Sequence, residues 1–563
     1  MKIAYKFLFL LIIPASTFGQ ISQLKPATSR NGMVVSSDSI ATSVGVEILR
    51  EGGNAVDAAV AVGFALAVTY PQAGNLGGGG YYLIHTRDGK NFAIDARETA
   101  PSRAAKGMFL DVNGNVIPKK SLLGGASAGV PGNVDGLILA EEKFGRLSLK
   151  QVIKPAIDLA GAGFRINRRL SDAFKAAWNE FKKFPSTMKY FSRNGNPYVE
   201  GDTLVQKDLA RVLRKISQEG RSGFYNGEVP QLIAETVHKT GGIMTAEDIE
   251  NYHSLLKEPV SVIYRGYDVV SMPPSSSGGV ALAEMFNILK HFDLKKYGYG
   301  ASQSLHYEIE AMRRAYADRD RFLGDDAFVQ VPVHRLISDE YADSISMSID
   351  TFYATPSSRI YPELIHPVRE GDHTTHYSVI DKEGNAVSVT TTLNSYFGGM
   401  VVVDGAGFFL NNEMDDFSVK PGIPNQFGAI GGDANSIEPG KRMLSSMTPT
   451  IVLERGKPFL ILGSPGGTTI INSVLEVILN VVDYNMSLVR AIMAPRVHHQ
   501  WVPDEVFYEP GSLVYDVKQS LKSRGYKLVE RPFIGEVQAI EVMPDGEYEG
   551  VADPRGGGTA EGY

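Results

Sequence analysis

The spacing of apolar positions changes character two thirds of the way along the chain. Before residue 374 the period is mostly that of helices. Ile40 to Glu51, Ala55 to Tyr70, Leu149 to Ala162, Lys207 to Glu219, Val229 to Thr240, Val280 to Phe292 and Ser304 to Arg321 all repeat apolar residues every three or four positions. Gly52-Gly53 stops the first of these, and Asn54 is placed to cap the second. That second helix, Ala-Val-Asp-Ala-Ala-Val-Ala-Val-Gly-Phe-Ala-Leu-Ala-Val, is apolar all round and is predicted to be buried. Strands are predicted at Tyr81 to Thr86 and Phe92 to Glu98, joined at Asp88-Gly89, and within Val260 to Met272. Beyond residue 374 strands crowd together. They are expected in the hairpin from Tyr377 to Val389, at Gly407 to Leu410, in a hairpin from Thr450 to Gly463 turning at Gly456, and at Val537 to Met543 before the turn Pro544-Asp545-Gly546 and a short last strand. A helix is expected from Thr468 to Val482. Hairpins and helices on a two-sided core predict a layered α/β sandwich.

The change of pattern falls on Asp372-His373-Thr374-Thr375-His376-Tyr377-Ser378. A polar stretch broken by Pro356, Pro362 and Pro367 leads in, and a hairpin turning through Lys382-Glu383-Gly384-Asn385 leads out. If Asp381 pairs with Ala386, Thr392 falls opposite Thr375, one step from Thr374. A Thr hydroxyl becomes a useful nucleophile when a base removes its proton, and a free α-amino group on the same residue, with a pKa of about 8, can do so. Thr374 gains that amine only if the His373–Thr374 bond is cut. The alternative is that two threonines simply open a strand, where Thr is favoured.

Composition narrows the field. The 563 residues are 43% hydrophobic and 21% charged, with a net charge of -7 and no basic run, which argues against nucleic-acid binding. Met1 to Gln20 reads as a secretory signal: Lys2 and Lys6, the apolar run Phe7 to Ile13, then Thr17-Phe18-Gly19 as a cleavage site. The run is too short to span a bilayer, and no other segment is long and apolar enough. There is no cysteine, which removes disulfides and thiolate metal sites. A soluble, periplasmic or secreted product without a membrane anchor is expected.

Several further groups could carry chemistry. Gly74 to Gly80 is rich in glycine but lacks the ending of a phosphate loop, so it is expected to let backbone pass close to something. Gly466-Gly467 lies where a strand yields to a helix; its N–H groups could form an oxyanion hole, or it could be a tight turn. Glu413, Asp415 and Asp416 could hold an ammonium or cap a turn. Arg97 with Ser445 and Ser446 could hold a carboxylate, or make a surface ion pair and a solvated loop. Two groups are discounted. Gly125-Ala126-Ser127-Ala128-Gly129 lacks the flanking strand and helix of a serine-hydrolase elbow, and His498-His499 has no third ligand suitably spaced for a metal.

Together these motifs resemble the γ-glutamyltranspeptidase family. The likeness lies in Thr-Thr-His-Tyr-Ser at Thr374, Asn-Asn-Glu-Met-Asp-Asp-Phe-Ser at Asn411, Leu-Ser-Ser-Met at Leu444 and Gly-Ser-Pro-Gly-Gly at Gly463. Asp-Ala-Arg-Glu at Asp95, Pro-Arg-Val-His-His-Gln-Trp at Pro495 and Asp-Pro-Arg at Asp553 extend it over essentially the whole chain.

The resemblance implies an N-terminal-nucleophile hydrolase with an αββα four-layer sandwich. It implies a signal peptide over 1–19 and self-cleavage of the rest into a large part, 20–373, and a small part, 374–563, which share one core as a heterodimer. It implies Thr374 as nucleophile, its new amine as base, Thr392 as the residue orienting that amine, and Gly466 and Gly467 as the oxyanion hole. Arg97, Ser445 and Ser446 would hold a substrate α-carboxylate, and Asn394, Glu413 and Asp416 its α-amino group. The substrates implied are glutathione and other γ-glutamyl compounds, with water or amino acid and peptide acceptors. No cofactor and no metal ion is expected. A lid is expected near Phe427. Glu413 stands where some bacterial relatives have Gln, and Met443 where Pro often precedes Leu-Ser-Ser. Two other readings stay open: an acylase taking a glutaryl group, and an exported binding protein that keeps the fold without catalysis.

Overall fold

Three apolar layers account for the architecture of the computed structural model, which describes residues 25–361, 374–418 and 432–563. The proposed signal peptide, Pro362, Pro367, His373 and Phe427 lie outside the described residues. The middle layer holds Met33, Val35, Leu83, Ile380, Ile451, Ile461 and Ile540, all essentially without solvent contact. It separates two sheets, each of seven strands among the described residues. One sheet runs Thr559–Gly562, Gly32–Ser36, Thr374–Asp381, Ala386–Thr392, Gly79–His85, Asn91–Ala96, Leu255–Lys257. The other runs Ala27–Ser29, Tyr548–Ala552, Gln538–Val542, Lys457–Gly463, Thr450–Glu454, Tyr267–Ser271, Val260–Tyr264. All pairings within both sheets are antiparallel. Both sheets draw strands from either side of residue 374.

The outer layers are helical. Val379 and Val389 of the first sheet pack with Phe64, Leu66 and Leu137, and Leu460 and Leu462 of the second pack with Phe286, Ile309 and Ile478. The order is helices, sheet, sheet, helices, the αββα sandwich that the resemblance implies.

Helix Ala55–Thr69 is buried along its whole length, as its apolar circumference requires. Asn54 caps it: its Oδ1 accepts from Val56 N at 2.8 Å and Asp57 N at 3.0 Å, while Asp57 Oδ2 accepts from Asn54 N at 2.6 Å. The helix crosses the central hairpin, and that contact corrects the expected register. Ile380, not Asp381, pairs with Ala386, so Thr374 itself stands opposite Thr392. Asp381 faces Asn385 instead, donating its N–H to the Asn385 carbonyl at 3.1 Å, and its side-chain carboxylate holds the tightened turn. That carboxylate accepts from Glu383 N at 2.8 Å, Asn385 N at 3.1 Å, Asn385 Nδ2 at 2.7 Å and Ala55 N at 2.9 Å. It closes the turn and caps the positive end of the helix at once.

The expected strand at Gly407 to Leu410 appears only as single bridges, Val402 with Phe409 and Gly77 with Leu410. Its backbone turns back on the segment just before it: Leu410 N donates to the carbonyl of Val401 at 2.9 Å, and Val403 N to that of Phe408 at 2.9 Å. Among the described residues no helix is long and apolar enough to cross a membrane.

Candidate active site

Strand periodicity sends alternate residues of Thr374–Asp381 to opposite faces. Tyr377 and Val379 enter the helical layer, and Ile380 enters the layer between the sheets. Thr374, His376 and Ser378 therefore share the inter-sheet face with Thr392, Thr390 and Ser388. The far end of this face is apolar; the near end is polar and cross-linked. His376 bridges Thr390 Oγ1 at 2.8 Å and Ser378 Oγ at 3.1 Å through its two ring nitrogens. Ser378 donates to the carbonyl of Gln538 at 3.1 Å and Ser388 to that of Leu462 at 2.9 Å, which ties the sheets together. Burial drives the pKa of His376 down to about 3, so it is neutral and carries no charge for the site.

Thr374 opens the strand at 8% exposure and lines a cavity at this polar end. The same cavity is lined by Thr392, Asn394, Arg97, Glu413, Asp416, Ser445, Ser446 and Gly467. Of the ten residues singled out in the sequence, nine thus meet in one cavity, and Gly466 adjoins it. Thr392 Oγ1 accepts from Asn394 N at 2.7 Å, which fixes the turn leaving the strand, where Asn394 adopts φ 73°. The glycine-rich turn supports this corner. A Cβ on Gly78 would lie 2.1 Å from the carbonyl oxygen of Thr392, and one on Gly77 2.1 Å from that of Phe409. These glycines do let backbone pass close, as expected.

Gly466 and Gly467 have φ 135° and 55°, between strand Lys457–Gly463 and helix Thr469–Val482. Their carbonyls begin the helix ladder, accepting from Thr469 N at 3.0 Å and Ile470 N at 3.2 Å. Among the described residues none accepts from the N–H groups of either glycine. Two donors at a helix start form an anion-binding concavity.

On the opposite wall Arg97 has no solvent exposure. Its Nη1 lies 2.6 Å from Glu413 Oε2 and 3.4 Å from Glu98 Oε2, and its Nη2 lies 2.6 Å from Asp416 Oδ2. Its Nε also donates to the carbonyl of Met443 at 3.2 Å. Three carboxyls thus surround one guanidinium. Burial pushes the carboxyl of Glu413 well above its ordinary range; Arg97 opposes this, while Glu98 and Asp416 add to it. Burial likewise lifts Glu98 to about 7 against the pull of Arg97. Neither oxygen of Glu413 receives a well-directed hydrogen bond from a neighbouring donor. Asp415, by contrast, points away and accepts from Ser121 Oγ at 2.6 Å.

Among the cavity residues not assigned a role from the sequence, Asn435 and Arg319 stand out for their hydrogen bonds. Asn435 joins two loops, donating to the carbonyl of Asp416 at 2.7 Å and accepting from Leu444 N at 2.9 Å. Arg319 reaches in from helix Ser302–Phe322 and donates to Ser446 Oγ at 3.0 Å. The discounted groups are structural. Ser127 is buried in a short turn and donates to the carbonyl of Gly124 at 2.7 Å. His498 pairs with Asn472 at 2.7 Å and Gln500 at 2.9 Å.

The γ-glutamyltranspeptidase family model matches residues 41–563. The chain belongs to the γ-glutamyltranspeptidase family. It is 49% identical over 531 residues to the glutathione hydrolase proenzyme of Escherichia coli, covering 94% of this chain and 91% of that one. It is 36% identical over 542 residues to an acylase ACY 1 proenzyme from Pseudomonas, covering 95% and 94%. Among solved structures, a cephalosporin acylase from Bacillus halodurans superposes with a TM-score of 0.84 at 28% identity, covering 98% of this chain and 99% of that one. The γ-glutamyltranspeptidase of Helicobacter pylori gives 0.58 at 47% identity, covering 60% of this chain and 98% of that one. Membership of the γ-glutamyltranspeptidase family agrees with the sandwich described above, which is that of an N-terminal-nucleophile hydrolase.

Proposed function

We propose that this chain is a self-processing γ-glutamyltransferase and glutathione hydrolase whose nucleophile is Thr374. The carrying observation is the meeting, in or beside one cavity, of a strand-opening Thr, the Gly466-Gly467 turn, a buried guanidinium and the two carboxyls of Glu413 and Asp416. A γ-glutamyl group is a zwitterion on a short arm from its reactive carbonyl. Arg97, Ser445 and Ser446 take its carboxylate, and Glu413, Asp416 and Asn394 its ammonium. Gripping the charged end sets the carbonyl against Thr374 and removes orientational freedom before the bond is made.

The steps follow. The bond before Thr374 is cut, leaving parts 20–373 and 374–563 associated. The new α-amine takes the proton of the Thr374 hydroxyl as its oxygen attacks the γ-carbonyl. The N–H groups of Gly466 and Gly467 stabilise the oxyanion. Collapse expels the amine of the leaving group, which takes the proton, and leaves an ester on Thr374. Water or an acceptor amine then attacks that ester, again losing a proton to the α-amine, and the hydroxyl is restored. Export through the N-terminal signal would place this reaction in the periplasm or outside the cell.

An acylase specific for a glutaryl group is the rival, and acylases stand among the similar proteins. A glutaryl group carries no ammonium, so the carboxyl pair of Glu413 and Asp416 favours the glutamyl reading. Thr374→Ala should yield one uncut chain that turns over no γ-glutamyl substrate. A denaturing gel with N-terminal sequencing of the small band checks this. An active two-chain Ala variant, or a small band starting anywhere but Thr374, sinks the proposal.

A further inference from the structure

Arg319 sits on helix Ser302–Phe322, is 5% exposed, and spends every donor group on one neighbourhood. Its Nη2 donates to Ser446 Oγ at 3.0 Å, its Nε to Ser277 Oγ at 3.0 Å and its Nη1 to Asp320 Oδ1 at 2.7 Å. Ser277 in turn donates through Oγ to the carbonyl of Ser445 at 2.6 Å, and its backbone N–H reaches the same carbonyl at 2.8 Å. One guanidinium therefore braces both serines of the Ser445-Ser446 pair.

The chemistry of the donor decides what this does. A guanidinium has five N–H donors and no acceptor, so the oxygen of Ser446 must accept from it. The hydroxyl hydrogen of Ser446 is then left for another partner, and among the described residues none accepts it. Ser445 is treated alike: its Oγ accepts from Met447 N at 3.2 Å, and no described residue takes its hydrogen. Both serines line the cavity. Both keep their O–H free to donate, which is the polarity that an anion needs. Burial lifts the Asp320 carboxyl to about 7, with Arg319 opposing, so near neutral pH this neighbour cancels the charge of Arg319 only in part.

We infer that Arg319 is a positioning residue for carboxylate recognition, which polarises and aims the Ser446 hydroxyl and adds positive charge behind it. The inference rests on the reading of Ser445 and Ser446 given under Proposed function. It assigns Arg319 no contact with the reacting atoms.

The test compares two anilides: L-γ-glutamyl-4-nitroanilide, and 4-aminobutanoyl-4-nitroanilide, which keeps the ammonium and lacks the carboxylate. In Arg319→Gln the KM for the glutamyl anilide should rise about tenfold or more, with kcat within about threefold and kcat/KM for the aminobutanoyl anilide within about threefold of wild type. Combining it with Ser446→Ala should be no worse than the poorer single variant by more than about threefold, because both act through one hydroxyl. Arg319→Lys keeps the charge but carries its donors on one nitrogen and cannot span the three separated acceptors, so it should show a KM rise of roughly threefold with the same selectivity. If Arg319→Gln fails to assemble or self-cleave, Arg319→Lys decides. Equal losses on the two anilides, a fall in kcat with KM unchanged, or multiplicative effects in the double variant would overturn the inference. A wild-type enzyme that turns over both anilides equally well would instead remove the carboxylate reading of Ser445 and Ser446 itself.

Discussion

Two buried charge clusters in this molecule are built in opposite proportions. Around Glu310, two guanidiniums serve one carboxylate. Arg313 Nε lies 3.2 Å from Oε1 and Arg314 Nη1 2.6 Å from Oε2, and Tyr526 Oη and Thr355 N donate to Oε1 at 3.0 Å and 3.2 Å. Around Arg97, three carboxyls serve one guanidinium. Burial alone would lift Glu310, Glu98 and Glu413. For Glu310 the two arginines overturn that effect and its pKa ends below the ordinary value, whereas Glu413 and Glu98 end above theirs. A cluster with surplus donors is finished and holds the helices together. A cluster with surplus carboxyl has room for a further cation, which is the role that the proposed function gives to a substrate ammonium.

Three measurements would break or sharpen this contrast. The largest effect is expected at the finished cluster. Glu310→Gln should destabilise the protein by roughly 3–5 kcal/mol in chemical denaturation, because it takes the shared carboxylate from two buried guanidiniums and leaves Arg313 with the carboxylate of Asp504, while KM for a γ-glutamyl anilide stays unchanged. A large KM change would mean that this cluster belongs to the site. Next, Asp416→Ala should lower kcat/KM for the same substrate by about 2–4 kcal/mol, on the order of 30- to 1,000-fold, with little loss of folding stability. Unchanged turnover would shift the balance toward a glutaryl acylase. The smallest effect concerns pH. Glu98 has a folded pKa raised to about 7 from 4.5, so its contribution to stability is full below the lower value and is lost as pH rises through the upper one. Glu98→Gln should therefore gain about 1 kcal/mol of stability at alkaline pH and nothing in mild acid. A variant equally destabilised at both would show that the carboxylate is needed as a partner for Arg97.

The sequence carries these two clusters with unequal clarity. Arg97, Glu413 and Asp416 lie in loops or at strand ends, where a charge has no periodic reason to be, and their motifs mark them. Arg319 lies in a helix whose polar residues read as a solvated face. In the structure His306, Glu308, Glu310, Arg313, Arg314, Asp318, Arg319 and Asp320 of that helix are all buried. Their partners come from segments far away in the chain, and spacing within one helix cannot show that. The hairpin was legible to within one residue, and the miss has a single cause: the turn is one residue tighter than expected, with Asp381 pairing with Asn385 while its carboxylate bonds the turn and a distant helix start. The strands Gly32–Ser36 and Thr559–Gly562 went unread, because the first is buried at every position and the second is four residues long without alternation. Pattern alone has little to hold in either.

The alternation of strands from before and after residue 374 has one more consequence. In the first sheet, Thr374–Asp381 and Ala386–Thr392 are clasped between Gly32–Ser36 and Gly79–His85, and the outermost strand again comes from the late part. A backbone severed ahead of Thr374 would leave two polypeptides woven through each other, with every hydrophobic cluster drawing side chains from both. Such a pair would not fall apart on dilution, and neither piece could be produced separately and mixed afterwards without both first losing their shape.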